Sequence, residues 1–392
     1  MAMTQTADVI VVGGGVQGAS LAFHLARRGT RVIVLERGSV AGGATGRSSG
    51  FVRMHYDYEP DARLAWASFP YFSDWANVVG AGDCSFVNCG FVQVIPTAQE
   101  AALRANVAML QGIGVDTHLI DRAEFERLVP GVDAHDITTV AWEPRSGYAD
   151  PSGTAAGFMA AARAKGATLV QQCRVEAVTV EGGRVTGVST DRGTFSAPIV
   201  VDAAGAWAGQ VAATVGLEVP IRPWRHDTAY FGLPDGHAAN FPIVLDNVNE
   251  VYFRPEGRDL MLVGLEIGND VGGSPDRPMG NISQGIIDLM VARLMVRVPW
   301  MGTGTFRTAH GGQDGLSPDE RPILGPEGPD GFWLACGFSG TGFKTAPAMG
   351  ASLSEWILDG RPSTVDITPY RLDRFAAGRT LLGEHPYGAL WR

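Results

Sequence analysis

Val9-Ile10-Val11-Val12-Gly13-Gly14-Gly15-Val16-Gln17-Gly18 is four branched apolar residues running straight into glycine. A run this short and this apolar predicts a strand buried on both faces. Ala19 to Arg28 follows with helical periodicity, Leu21 and Leu25 in one row and Ala22 and Ala26 beside them, and Gly29 supplies a stop. Arg31-Val32-Ile33-Val34-Leu35-Glu36 is a second buried strand ending in a carboxylate. Together these predict one βαβ unit. Within it Gly13 permits a tight turn, Gly15 lets backbone approach a pyrophosphate, and Gly18 lets the helix pack on the strand. The helix start at Val16 and Gln17 then faces the phosphates. Glu36 lies 18 residues after Gly18, close to the spacing at which an acid binds ribose hydroxyls, and it repels a 2′-phosphate.

Which dinucleotide is bound depends on the rest of the chain. No second GxGxxG serves a separate nicotinamide nucleotide. Two further strand-to-glycine junctions lie far downstream, at Val201-Asp202-Ala203-Ala204-Gly205-Ala206-Trp207 and Gly337-Phe338-Ser339-Gly340-Thr341-Gly342-Phe343-Lys344. A long cofactor touching several strand ends needs such sites, so FAD is the economical expectation.

Length and composition set the frame around this unit. With 392 residues, 45% hydrophobic and 18% charged, the chain predicts two joined domains or one large α/β assembly with sizeable cores. The 31 Lys+Arg against 41 Asp+Glu give a net charge of -10, which disfavours nucleic acid and anionic membrane surfaces. No basic residue precedes Arg27 and no long apolar run occurs, so neither a signal peptide nor a membrane span is expected. Cys84, Cys89, Cys173 and Cys336 are scattered and form no CxxC pair. This predicts inert thiols in a cytoplasmic protein and no metal site.

The remaining pattern predicts short strands over Phe86–Ile95 and 168–197, with a hairpin at Glu181-Gly182-Gly183-Arg184, and a helix over 152–164. Strand-like pieces at 229–233, 250–254 and 260–265 precede an amphipathic helix from Ser283 to Val298, with Met290 and Leu294 on one side and Asp288, Arg293 and Arg297 off it. The tail predicts a strand at Phe332–Cys336, a glycine loop, and a helix from Ala346 to Leu358.

Four anchors carry a resemblance: the N-terminal fingerprint, Val201 to Trp207, Pro318-Asp319-Glu320-Arg321-Pro322-Ile323-Leu324-Gly325, and Gly337 to Gly350. Together the sequence resembles the D-amino-acid-oxidase-type FAD-dependent oxidoreductases, the family of D-amino-acid oxidase, glycine oxidase and sarcosine oxidase, and most of all the sarcosine oxidase branch. The resemblance implies an α/β fold with an α+β insert. Residues 1–85, 150–218 and 307–392 would form a discontinuous Rossmann-like FAD-binding domain of the glutathione-reductase type. Residues 86–149 and 219–306 would form an antiparallel-sheet substrate-binding domain. Besides Gly13, Gly15, Val16, Gln17 and Gly18, it implies FAD contacts at Glu36, Arg37, Arg47, Ser48, Ser49, Val175, Ala204, Gly205, Trp207, Gly312, Gly340, Thr341, Gly342, Phe343 and Lys344. No cysteine stands near Gly312 and no histidine among Gly46 to Gly50, so the resemblance implies noncovalent FAD.

For the reaction, the resemblance implies that Arg53 and Lys344 hold a substrate carboxylate, one as a planar fork and one as a point charge. Tyr56, His226 and His310 are the preferred pocket candidates, with His55, Tyr58 and Tyr252 behind them. Asp314 stands where glycine oxidase has a carboxylate-binding arginine, which disfavours that activity. Met261 is matched to the lysine that promotes oxygen reaction. The implied chemistry is oxidation of a small amine or amino acid, sarcosine-like, by hydride transfer to flavin N5, and the imine then hydrolyses. Oxygen or another acceptor would take the electrons. The alternatives are a 2-hydroxy-acid dehydrogenase and a flavin-bearing subunit with partner subunits, as in multimeric sarcosine oxidases.

Overall fold

The computed structural model describes residues 5–277 and 281–388; residues 1–4 and 389–392 of the expected cofactor domain and 278–280 of the expected substrate domain lie outside it. A six-stranded sheet runs in the order Ile323–Pro326, Phe332–Cys336, Ile199–Asp202, Val9–Val12, Val32–Leu35, Thr168–Val170. It is parallel except for the pairing of its first two strands. Val9 and Val11 pack into one core and Ile10 and Val12 into another. Both faces are therefore covered, which is why the strand carries no polar residue.

One cover is helical: Val16–Ala26 packs on Pro151–Ala164 and Gly342–Asp359. The last of these starts four residues before the expected Ala346 and ends at Gly360 in a left-handed cap. Its Pro347 can donate no hydrogen bond. Ser68, from the helix Glu59–Ser73, enters the ladder there, donating to the Thr345 carbonyl at 3.2 Å and accepting the Ala348 N–H at 3.0 Å. The other cover is a four-stranded sheet of Val175–Glu181, Arg184–Thr190, Gly193–Ser196 and Gln5–Thr6.

An eight-stranded sheet forms the second half, in the order Thr305–Leu316, Arg222–Gly232, Leu260–Leu265, Val251–Glu256, Ile243–Asp246, Phe91–Val94, Thr139–Glu143, His118–Asp121. It is antiparallel apart from the parallel pairing of Ile243–Asp246 with Phe91–Val94. Val92, Val244 and Val263 join the core under the helix Gln284–Arg297, whereas Phe91, Leu245, Tyr252 and Leu262 form the opposite face. The helix is capped by Ser283, as its sequence signals. Arg297 departs from expectation. It is buried, paired with Asp246 and Asp136 at 2.7 Å each, because a charge is tolerated inside only with partners.

The strand Thr305–Leu316 is continuous across residue 307, so the expected domain boundary falls inside it. Beyond it the Pro318–Gly325 anchor proves to be a buried ionic lock. Arg321 pairs with Asp57 at 2.8 Å and Asp61 at 3.1 Å, Asp61 accepts the Tyr370 hydroxyl at 2.5 Å, and Asp319 pairs with Arg374 at 2.8 Å.

Candidate active site

A cavity of about 670 Å³ runs from the carboxyl ends of the parallel strands to the open face of the eight-stranded sheet. Glu36, Arg37, Cys173 and Val175 line one end; Arg53, His226, Thr228, Leu245, Tyr252 and Lys344 line the other. Between them the backbone comes close because the glycines allow it. Gly13 has φ +111°, and a Cβ there would lie 2.5 Å from the Ala203 carbonyl oxygen. A Cβ on Gly18 would lie 2.1 Å from the Gly13 carbonyl oxygen, so that glycine fixes helix on strand. The helix N-cap, Gly15, has no side-chain cap, and the helix start at Val16 and Gln17 lines the cavity. The Val16 N–H donates to Thr45 Oγ1 at 3.0 Å.

The Glu36 carboxylate is fixed by the N–H groups of Gly14 and Gly38, at 2.7 Å each. Next to it the Arg37 guanidinium lies 3.8 Å from the centre of the Trp207 ring, and both donate to Asp276, at 2.8 and 2.7 Å. In the middle, Arg47 donates to the carbonyls of Gly42 and Gly43. Gly312 packs against it, with room for no side chain: a Cβ would lie 2.8 Å from Arg47 Cβ. Asp314 is partly buried and accepts the N–H of Gly340 at 2.6 Å and of Gly315 at 2.7 Å. Burial pushes its carboxyl above the ordinary range. It braces the glycine loop and offers nothing to an anion.

At the far end Arg53 and Lys344 are both buried. Burial, and then the charge of Arg53, hold the Lys344 amine well below its ordinary pKa. The Tyr56 ring lies beneath both cations, 4.6 Å from the Arg53 guanidinium carbon and 5.7 Å from Lys344 Nζ. His226 packs edge-on against Trp224 with ring centres 3.7 Å apart, and burial lowers its pKa to about 3. It is a neutral imidazole. Among the described residues no group of His, Cys, Asp and Glu is placed to hold a metal ion, and no helix is long and apolar enough to cross a membrane.

The family model for FAD dependent oxidoreductases, of the DAO type, matches residues 8–356. The chain belongs to that family. FAD is its cofactor, and the helix start lining the cavity, the fixed Glu36 and the glycine-lined groove fit it. Sarcosine dehydrogenase of Mus musculus is 27% identical over 386 residues, covering 95% of this chain and 42% of that protein. The chain thus spans less than half the length of that curated relative. L-proline dehydrogenase from P. horikoshii superposes with a TM-score of 0.88 at 25% identity, covering 96% of this chain and 99% of that one. Glycine oxidase from Geobacillus kaustophilus superposes at 0.82, with 25% identity and 95% and 99% covered.

Against this FAD-family groove the expected residues divide. Gly13, Gly15, Val16, Gln17, Glu36, Arg37, Arg47, Ser48, Ser49, Val175, Ala204, Gly205, Trp207, Gly312, Gly340, Gly342, Phe343 and Lys344 line it. Gly18 does not, being spent on helix packing, and neither does Thr341, whose hydroxyl turns back to the Phe338 carbonyl at 2.7 Å. Arg53, His226 and Tyr252 line the far end, whereas Tyr56 lies behind the two cations. His310 is paired with Thr228, whose hydroxyl is 3.3 Å from its ring, and Thr228 takes the lining position. His55 is spent on Tyr387, at 2.9 Å, and Tyr58 precedes a helix beside Tyr370. Met261 points into the core under Gln284–Arg297, and Leu262 takes the cavity-side face instead. Thr45, Asp276 and Glu143 were not signalled, because long-range contacts alone bring them in.

Proposed function

We propose that this protein oxidises a small amino acid at its amine-bearing carbon, a sarcosine-like N-methyl amino acid being the model substrate. The observation that carries the reading is the buried pair of cations, Arg53 and Lys344, at the end of the FAD groove. Two cationic side chains converging on one end of the groove offer a carboxylate a planar fork and a point charge. FAD, when bound, supplies the two-electron acceptor. Phe51, Leu245 and Tyr252 wall the same end with apolar surface and exclude water from the reacting carbon. His226, neutral at physiological pH, adds no charge beside the amine, which must itself be unprotonated to release its electrons.

Noncovalent FAD is part of the same proposal. Arg47 fills the space beside Gly312, and the one cysteine lining the groove, Cys173, sits at the Glu36 end. Free, scattered thiols support a cytoplasmic setting.

The test is the visible spectrum of the purified protein, sealed from air, before and after adding N-methyl amino acids and matched 2-hydroxy acids. Bleaching by an amine supports the proposal, and readmitting air distinguishes oxygen from another acceptor. Bleaching by hydroxy acids alone would overturn it. Acid precipitation that leaves yellow colour on the protein would overturn noncovalent attachment.

A further inference from the structure

Glu143 ends the strand Thr139–Glu143 and is fully buried, yet nothing above uses it. Its Oε2 accepts the Met54 N–H at 3.0 Å and the Ser146 hydroxyl at 2.5 Å, while Oε1 meets no hydrogen-bond donor among the described residues. Met54 is the residue after Arg53. The residues before Arg53 are tied to the same turn, since Phe51–Val52 pairs with Gly147–Tyr148. Glu143 is also the strand partner of Phe91, whose ring centre lies 5.5 Å from the Arg53 guanidinium carbon. These supports of the Arg53 segment converge on Glu143 and its turn. A leucine would fill the space without the cost of burying a carboxyl group. What the carboxyl provides is an acceptor for the Met54 amide and a countercharge behind Arg53.

We infer that Glu143 is the positioning residue of the carboxylate subsite, holding Arg53 in place through the Met54 amide. This rests on the proposal that Arg53 binds a carboxylate. The charges that face Glu143 are those of Arg53 and Asp116, beside the dipoles of Ser146 and Met54. Burial first of all raises its pKa to about 7, against the pull of Ser146, Met54 and Arg53. An anion arriving at Arg53 favours the protonated form of Glu143. Carboxylate affinity must then rise as pH falls through neutrality.

The probe is acetate, titrated against the flavin absorption of the holoenzyme between pH 6 and 8, where acetate itself stays ionised. Glu143→Leu removes the acceptor and is expected to weaken acetate about tenfold. Glu143→Gln keeps an acceptor for the Met54 amide. It should bind acetate as tightly as the native enzyme at pH 6, more tightly at pH 8, and with a shallower pH dependence. Native affinity in Glu143→Leu would overturn the inference. Should that variant fail to fold, a Glu143→Gln protein with the native pH dependence overturns it alone. Arg53→Ala separates the two claims: if acetate binds it normally, the carboxylate reading of Arg53 fails, whatever Glu143 does.

Discussion

Arg53 and Lys344 share one aromatic ring, that of Tyr56, which holds both cations within 6 Å of its centre. The ring's negative face eases a like-charge approach; the Lys344 pKa is depressed by burial first and by the charge of Arg53 second, which leaves some like-charge strain. An anion between the two cations relieves it. Arg53→Ala and Lys344→Ala should each weaken carboxylate substrates by roughly ten- to a hundredfold, the worth of about 1.5–3 kcal/mol for a charge-assisted hydrogen bond, and leave the yellow cofactor bound. Because an anion favours protonated Lys344, binding should take up a proton at pH above the depressed value, and the uptake should fade as pH falls through it. Lys344→Met should lose that uptake, read by calorimetry in two buffers.

The ionic lock at Arg321 supports the fold rather than the chemistry. Arg321→Ala leaves Asp57 and Asp61 buried without their cation. Stability should fall by about 3–5 kcal/mol, read from urea unfolding of the holoenzyme.

Asp276 joins Arg37 and Trp207 at the Glu36 end of the groove, and all three line it. The Arg37 pair is half exposed, so its contribution is modest. Asp276→Ala should speed FAD release by about two- to fivefold, measured as the rise of free-flavin fluorescence on dilution. The native rate should approach the variant's in high salt.

Asp202 is buried at the end of the strand Ile199–Asp202, accepts the Ala204 N–H at 3.0 Å, and is raised by burial from 3.8 to about 8. Between those values the folded state holds a proton that the unfolded chain releases. This group's contribution to stability therefore falls as pH rises from about 4 to about 8. Asp202→Asn keeps the acceptor and cannot ionise. Unfolding at pH 5 and pH 8 should show a smaller loss in the variant than in the native protein.

What the sequence made legible was local. Val9 to Glu36 declares its strands, helix and glycines because each signal lies within a few residues of the next, and Ser283 marks its helix for the same reason. The phase of Leu260–Leu265 was not legible: both faces are buried and no polar residue marks one of them, so only the three-dimensional packing puts Met261 and Leu262 on opposite faces. The start of Gly342–Asp359 was hidden because glycine weakens the helical pattern. Met54 with Glu143, Val16 with Thr45, and Arg37 with Asp276 are 89, 29 and 239 residues apart. No spacing rule reaches that far. Arg297 read as solvent-facing from its charge alone, since the carboxylates that let it be buried come from other elements.

Thr305–Leu316 is paired with Arg222–Gly232 at eleven positions, and it carries Gly312 and Asp314 into the groove. The same strand thus belongs to the eight-stranded sheet and to the part of the groove beside Arg47 and the Gly340 loop. A hinge opening between the two halves would have to break the bond that Asp314 accepts from the Gly340 N–H. The register of the ladder with Arg222–Gly232 therefore sets where Gly312 and Asp314 stand relative to Thr228, as in a rigid jig.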